Sequence, residues 1–343
     1  MTDSRSRRLV FRADGNATIG LGHLVRLLAL ADMLRGLVPG LFIVREPTAA
    51  VTQLVTEAGW AIHALPAQAL SAEADWLATS FLLPGDVLVL DGYDFTLAYQ
   101  QRLRQSGCGL AYIDDLRAWP VVADVLINHS PGVTPADYQA PATARLLLGP
   151  AFSLLRQPFI AGAALPQASG DFTSALVCFG GADPLGLTAR TLAALLTLPQ
   201  VQRIGLLVGA AFGGDEALQV AARAQPEREI TIYRNLGAAE LVALLQAHAV
   251  AVVPASTVLI EALVLGRPAF TGYYADNQQA LASYVHAHQQ AFSVGNFADL
   301  APSQLAVALR QGLAWLVTQP RQPYVAQLRP DLLRAEIQHL LAR

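Results

Sequence analysis

Two successive α/β domains, each built on an open sheet of parallel strands, are what this sequence predicts. Three observations carry the prediction. Short β-rich runs alternate with longer runs of helical periodicity, as in βαβ units. The alternation restarts after a stretch of small residues near mid-chain. The chain has 343 residues, 53% hydrophobic and 14% charged, which suits two globular domains and not a disordered chain.

The elements follow in order. Apolar β-rich runs predict strands at Leu9–Phe11, Gly40–Val44, Ala61–Ala64, Asp86–Leu90, Gly109–Ile113, Val125–Ile127 and Arg145–Leu148. Helical periodicity places Leu24–Leu34, Ala49–Ala58, Glu73–Leu82 and Thr96–Gln105 between the earlier of these. The run from Ala161 to Gly170 is rich in small residues with one Pro, and suits a linker. Strands then resume at Ser174–Phe179, Ile204–Val208, Glu229–Ile232, Ala249–Val253, Pro268–Thr271 and Ala291–Val294. Their helices are Thr188–Leu198, Glu216–Ala224, Ala238–Gln246, Ser256–Leu265, Asn277–His288 and Ser303–Thr318. The expected domains are 1–160 and 172–343, joined by 161–171. An amphipathic helix at Leu332–Leu341 is placed to pack back on the first domain. Both domains are Rossmann-like, and such a pair places a ligand cleft between them, at the C-terminal ends of the strands.

Composition narrows the chemistry. Net charge is −3 and no block of like charges occurs, which argues against nucleic acid as partner. No apolar stretch approaches a membrane span, and the polar, basic start is not followed by a secretory apolar region, so a cytoplasmic protein is expected. Cys108 and Cys178 are far apart in sequence and show neither zinc spacing nor a disulfide framework. All 23 basic residues other than histidine are arginine. A Walker lysine and a Schiff-base lysine are therefore excluded, and an anion must be held by arginine, backbone amides or hydroxyls. No His–carboxylate motif suggests a metal, and none is expected.

The loops after the strands carry the candidates. Gly20-Leu21-Gly22-His23 lies at a strand-to-helix turn near the start of the chain. Amides at such a turn favour an anion, and the His23 imidazole can move protons near neutral pH. Gly180-Gly181, after the first strand of the second domain, reads either as a diphosphate cradle or as a tight turn with Thr188 as helix cap. Ser256 and Thr257 stand where amides and hydroxyls meet a phosphate, with Glu261 one turn on to take ribose hydroxyls; the alternative is a helix cap and a solvated glutamate. Asn277 and Gln278 suit sugar hydroxyls or an acetamido group, or else capping. Asp91, Asp114-Asp115 and Asn128-His129 also end strands. A turn or capping role is favoured for them, with Asp115 as a candidate to orient an imidazole.

Taken as an ordered set, these loops resemble the UDP-sugar hydrolases of pseudaminic acid biosynthesis, the PseG family. The resemblance runs from Phe11 to about Phe292. It rests on Phe11-Arg12-Ala13-Asp14, Gly20-Leu21-Gly22-His23 with Arg26, Asp91-Gly92-Tyr93, Asp114-Asp115, Asp124 to Asn128, and Gly149 with Leu154-Leu155-Arg156. Gly180 to Asp183, Ala255-Ser256, Glu261-Ala262 and Asn277-Gln278 complete it. Phe152 in place of the usual Tyr, Gln157-Pro158 after Arg156, and Pro254 before Ser256 depart from the family pattern and bear on which sugar is used.

The resemblance implies a GT-B fold of the MurG type, with UDP in the C-terminal domain. It implies hydrolysis of UDP-2,4-diacetamido-2,4,6-trideoxy-β-L-altropyranose to free sugar and UDP, with inversion. Under it, His23 is the general base; Asp14, Gly22, Tyr93, Asn277 and Gln278 meet the sugar; Gly180, Gly181, Ser256, Thr257 and Glu261 hold UDP. Cofactor and metal are not called for, and a monomer with UDP-sugar and water as its partners is expected. The competing expectations are a GT-B glycosyltransferase and a non-catalytic UDP-sugar binder. The first domain shows no evident apolar docking patch in sequence, which favours the hydrolase.

Overall fold

The computed structural model describes residues 7–15, 20–163, 172–209, 212–318 and 322–343. The expected linker lies, from residue 164, outside the described residues, as do 16–19 of the first glycine-rich turn. The chain divides into two compact units, Met1–Gln157 with Leu328–Arg343, and Pro158–Gln327.

The first unit carries β1 (Leu9–Ala13), α1 (Gly22–Met33), β2 (Gly40–Arg45), α2 (Ala49–Glu57), β3 (Ala61–Leu65), α3 (Leu70–Trp76), β4 (Val87–Asp91), α4 (Leu97–Arg104), β5 (Gly109–Ile113), β6 (Val125–Asn128) and β7 (Arg145–Leu148). The second carries α5 (Gln157–Ala161, at the boundary), β8 (Ser174–Cys178), α6 (Leu187–Leu196), β9 (Arg203–Val208), α7 (Asp215–Arg223), β10 (Glu229–Arg234), α8 (Ala238–Ala247), β11 (Val250–Val252), α9 (Thr257–Val264), β12 (Ala269–Tyr273), α10 (Asp276–Ala287), β13 (Phe292–Asn296) and α11 (Pro302–Thr318). The last helix, α12 (Pro330–Ala342), belongs to the first unit.

The strand order in the first sheet is β3-β2-β1-β4-β5-β6-β7, and in the second β10-β9-β8-β11-β12-β13. Every described pairing is parallel. Each unit is thus a Rossmann-like α/β domain, and in each the order reverses beside its first strand, between β1 and β4 and between β8 and β11. That reversal opens a crevice at the strand C-termini, where ligands of such sheets bind.

Burial explains why the strands were legible. β1 and β4 are buried along their whole length and read as apolar runs, because helices cover both faces of a parallel sheet. One face packs on α1, α2 and α12 through Leu24, Leu27, Val51, Val55, Leu333, Ile337 and Leu340. The other packs on α3 and α4 through Ala74, Tyr99 and Leu103. Contact with α12 requires Gly109 in β5, where a Cβ would lie 2.9 Å from Leu340 Cδ1. Thr48 and Thr96 cap α2 and α4 by accepting from Val51 N at 3.2 Å and Tyr99 N at 3.3 Å. The single helix expected over Glu73–Leu82 is instead α3, which starts at Leu70, followed by a π-helical turn at Leu77–Phe81. Cys108 and Cys178 are both buried, and they form no disulfide with each other. No helix among the described residues is long and apolar enough to cross a membrane.

Candidate active site

In the first unit the register brings the reactive groups together. Ala13 at the end of β1 pairs with Asp91 at the end of β4, and Asp91 pairs with Ile113 of β5. The loops leaving these strands therefore open side by side. Helix α1 starts at Gly22, two residues earlier than expected, so His23 sits in its first turn and not in the loop before it. Arg26, three residues on, shares a face with His23, since residues three apart on a helix are neighbours.

Both side chains converge on Asp91. His23 Nδ1 lies 2.8 Å from Asp91 Oδ1. The carboxylate can only accept, so Nδ1 is the donor, and in the neutral ring Nε2 is left as an acceptor. Arg26 Nε donates to Asp91 Oδ2 at 2.8 Å and its Nη2 to Oδ1 at 2.6 Å, a bidentate fork. The 3.3 Å approach of Nη2 to His23 Nδ1 is that of two donors sharing one oxygen. The remaining arm, Nη1, donates to Asp115 Oδ2 at 2.6 Å. Asp91 is wholly buried and His23 is 8% exposed. The carboxylate that orients the imidazole is thus Asp91. Asp115, the candidate raised from the sequence, binds Arg26 instead.

Burial alone would push the Asp115 carboxyl up; the Arg26 guanidinium, by its charge and its hydrogen bond, outweighs this and holds the carboxyl below its usual value. A depressed carboxyl contributes stability above its unfolded pKa of about 4 and loses it as pH falls through the lower folded value. Denaturant titrations near neutral pH and near pH 3 should therefore show a smaller acid loss in Asp115→Asn than in wild type. An equal loss would show that Asp115 carries none of the acid sensitivity. Burial lowers the His129 pKa and keeps that ring neutral.

A cavity of about 120 Å³ opens above this group, with Asp14, His23, Arg45, Tyr93 and Asp94 in its wall. Sites that engulf a whole ligand measure roughly 300–1,000 Å³, so this one fits a water and part of a small polar ligand. Tyr93 is 40% exposed and stands edge-on to His23, with ring centroids 4.4 Å apart. Asp14 lines the cavity, but its carboxylate is already engaged. It takes two bonds from Arg12, at 2.5 and 2.9 Å, and one from Arg45 N at 2.9 Å, with the Arg45 guanidinium 3.4 Å away. Arg45, which the sequence analysis did not single out, is thereby held at the wall of the same cavity. Leu21, Tyr93, Leu116 and Trp119, each at least 40% exposed, stand on loops at this strand edge, and Trp119 Nε1 donates to the Tyr93 carbonyl at 3.3 Å. Leu116 and Trp119 share the loop after β5, while Leu21 and Tyr93 stand on the loops after β1 and β4, so these exposed apolar residues come from three loops that sequence order keeps apart.

The second unit holds the remaining candidates. Gly180 has φ +87, and nothing lies within 4 Å of where a Cβ would stand at Gly180 or Gly181. Asp183 accepts from Leu187 N at 2.8 Å and Thr188 N at 2.7 Å, so it caps α6 in place of Thr188. Ser256 is the residue before α9, yet its side chain makes no cap hydrogen bond. Thr257 begins that helix, and Glu261 within it is buried, where the alternative reading expected a solvated side chain. Asn277 is exposed in the first turn of α10. Gln278 Oε1 accepts from Tyr274 N at 3.1 Å, which ties up one end of its amide as a local cap. Among the described residues, no group of three or more His, Cys, Asp or Glu is placed to hold a metal ion.

Comparison with known proteins adds the fold class. No family profile matches the chain. An uncharacterised protein of Methanocaldococcus jannaschii is 23% identical over 281 residues, covering 79% of this chain. The chain spans about 57% of that relative's length. Among solved structures, Acinetobacter baumannii MurG is similar at a TM-score of 0.66 with 15% identity, over 97% of this chain and 99% of MurG. Anabaena HepE, solved with UDP-glucose, is similar at 0.61 with 14% identity, over 98% of this chain and 100% of HepE. A UDP-glucosyltransferase of Polygonum tinctorium that glucosylates indoxyl is similar at 0.63 with 12% identity, over 99% of this chain and 100% of that one. The fold is of the GT-B class. At these identities the likeness carries fold alone.

Proposed function

We propose that the protein hydrolyses a UDP-linked 2,4-diacetamido-2,4,6-trideoxyhexose to free sugar and UDP, as the PseG-like loops imply, in pseudaminic acid biosynthesis. The observation that carries the reading is the His23–Asp91 pair at the cavity. An imidazole with Nδ1–H held by a carboxylate presents Nε2 as a base for a water. Water oxygen attacks the anomeric carbon and Nε2 takes its proton. The bond from that carbon to the diphosphate oxygen breaks, and its electron pair leaves with UDP. A single displacement inverts the centre. Asp91 stabilises the imidazolium that forms.

The departing diphosphate falls to the amides around Gly180, Gly181, Ser256 and Thr257, with Glu261 on the ribose. That the Ser256 side chain makes no cap hydrogen bond to α9 supports this. Tyr93, Gly22, Asn277 and the free NH2 end of Gln278 meet the sugar, with Asp14 acting through Arg45. The scheme requires no cofactor.

A second reading is favoured by one observation: the exposed Trp119 ring, held by its Nε1 on the carbonyl of the exposed Tyr93, offers an aromatic surface that suits an apolar acceptor. In that case the same base activates an acceptor hydroxyl and the protein is a UDP-sugar glycosyltransferase. Proton and phosphorus NMR on UDP-2,4-diacetamido-2,4,6-trideoxy-β-L-altropyranose, without acceptor and with a chelator, decides between them. Stoichiometric UDP and free sugar are expected. An unchanged UDP-sugar spectrum from protein that binds UDP would overturn the hydrolase.

A further inference from the structure

The buried charges behind His23 extend beyond the pair that the reaction needs. Asp91 alone would suffice to hold an Nδ1–H. The structure adds Arg26, 7% exposed, whose three nitrogen donors span two carboxylates on different strand ends. Arg26 fastens Asp91 through both oxygens, which removes the carboxylate's freedom to rotate about its last bond. Arg26 is itself fastened at its far end by Asp115, whose side chain is 14% exposed. A planar fork anchored at both ends has one orientation, which an ammonium at the same place would not have. Asp115 Oδ1 and His129 Nδ1 are buried there without hydrogen-bond partners, so Arg26 is the hydrogen-bonding anchor of the Asp115 carboxylate.

The charges are also balanced in a particular sense. Asp91 and Asp115 together carry −2 against the +1 of Arg26, and burial keeps His129 neutral. The cluster thus retains one net negative charge beside an imidazole that becomes cationic when it accepts a proton. With Asp115 neutral, Arg26 would cancel Asp91, and the stabilisation of the imidazolium would weaken.

We propose that Arg26 and Asp115 are a positioning pair for His23. Anchored on Asp115, Arg26 holds Asp91 in the orientation that fixes the proton on Nδ1 and turns Nε2 to the cavity. Neither residue touches substrate. The inference rests on His23 as the base, and its first test needs no substrate.

That test is nitrogen-15 NMR of histidine-labelled full-length protein at about pH 8, above the ordinary histidine value near 6.5. The His23 signals are assigned by their loss in His23→Gln. Wild type is expected to show a single tautomer with Nδ1 protonated. Asp115→Asn, which keeps an oxygen for Arg26 but drops the charge, and Arg26→Lys, which keeps the charge but drops the fork, are expected to show tautomer mixtures. Where UDP-sugar turnover is measurable, both should lower kcat by about tenfold and leave KM within roughly twofold, with Arg26→Lys failing to rescue. Mixed tautomers with no turnover of any UDP-sugar would sustain the pair and sink the proposed reaction instead. A pure Nδ1–H tautomer in folded Asp115→Asn would overturn the pair, whether or not Arg26→Lys folds.

Discussion

Replacing His23 by alanine is expected to lower kcat by about 10²–10⁴-fold with little change in KM, the range for loss of a positioned general base. The geometry makes this a clean experiment. Asp91 keeps both bonds from Arg26 when the imidazole is gone, so no unpaired carboxylate is left behind. His23 lies in the first turn of α1, whose apolar anchors, Leu24, Leu27 and Leu30, lie further along the helix. The variant should therefore melt within a few degrees of wild type, by the scale for a site outside the core. The imidazole occupied the wall of an open cavity, so added imidazole should restore part of the lost rate. Turnover within threefold of wild type would remove His23 from the chemistry and leave the cavity as a binding feature only. A fall carried by KM instead of kcat would make it a ground-state contact.

The fold was legible because its central strands are buried on both sides. Runs such as Val87–Leu90 and Ala175–Val177 can be nothing else in a chain that alternates so regularly. The π-helical turn after Trp76 was not legible, because it interrupts no periodicity strongly enough to show in composition. His23 stood out because an ionisable ring beside two glycines is unusual. Its partner was harder to read. Asp91 lies 68 residues away, and only the adjacency of β1 and β4 brings the two together. The sequence pointed instead to Asp115, which the same adjacency places one strand further off, on Arg26. Asp183 and Thr188 exchanged roles for a local reason. Asp183 adopts φ +45, which folds its carboxylate back over the first amides of α6. Arg12 fell just past the expected end of the first strand, and Glu73 read as the start of a helix. Nothing in the sequence said that they would meet.

Their meeting supports the second large prediction. Arg12 and Glu73 are both wholly inaccessible, and they pair through Nε to Oε1 at 2.7 Å and Nη2 to Oε2 at 3.1 Å. Tyr99, kept protonated by burial, donates its hydroxyl to the same Oε1 at 2.7 Å. Glu73→Ala leaves a guanidinium and a phenol buried with fewer partners, a change that costs about 3–5 kcal/mol when a buried pair is broken. Asp14 still holds the far side of Arg12, so the lower end, about 3 kcal/mol, is expected in urea unfolding. That corresponds to roughly 6–12 °C in the melting of a unit of this size. A loss under about 1 kcal/mol would mean that water reaches Arg12 once the carboxylate is gone. The effect should not stop at stability. Arg12 fixes Asp14, and Asp14 fixes Arg45 at the cavity wall, so freeing one end of Arg12 loosens the groups that face the ligand while leaving His23 on Asp91. KM should then rise more than kcat falls, the reverse of the His23 result. The two variants together separate the support of the cavity from the chemistry performed in it.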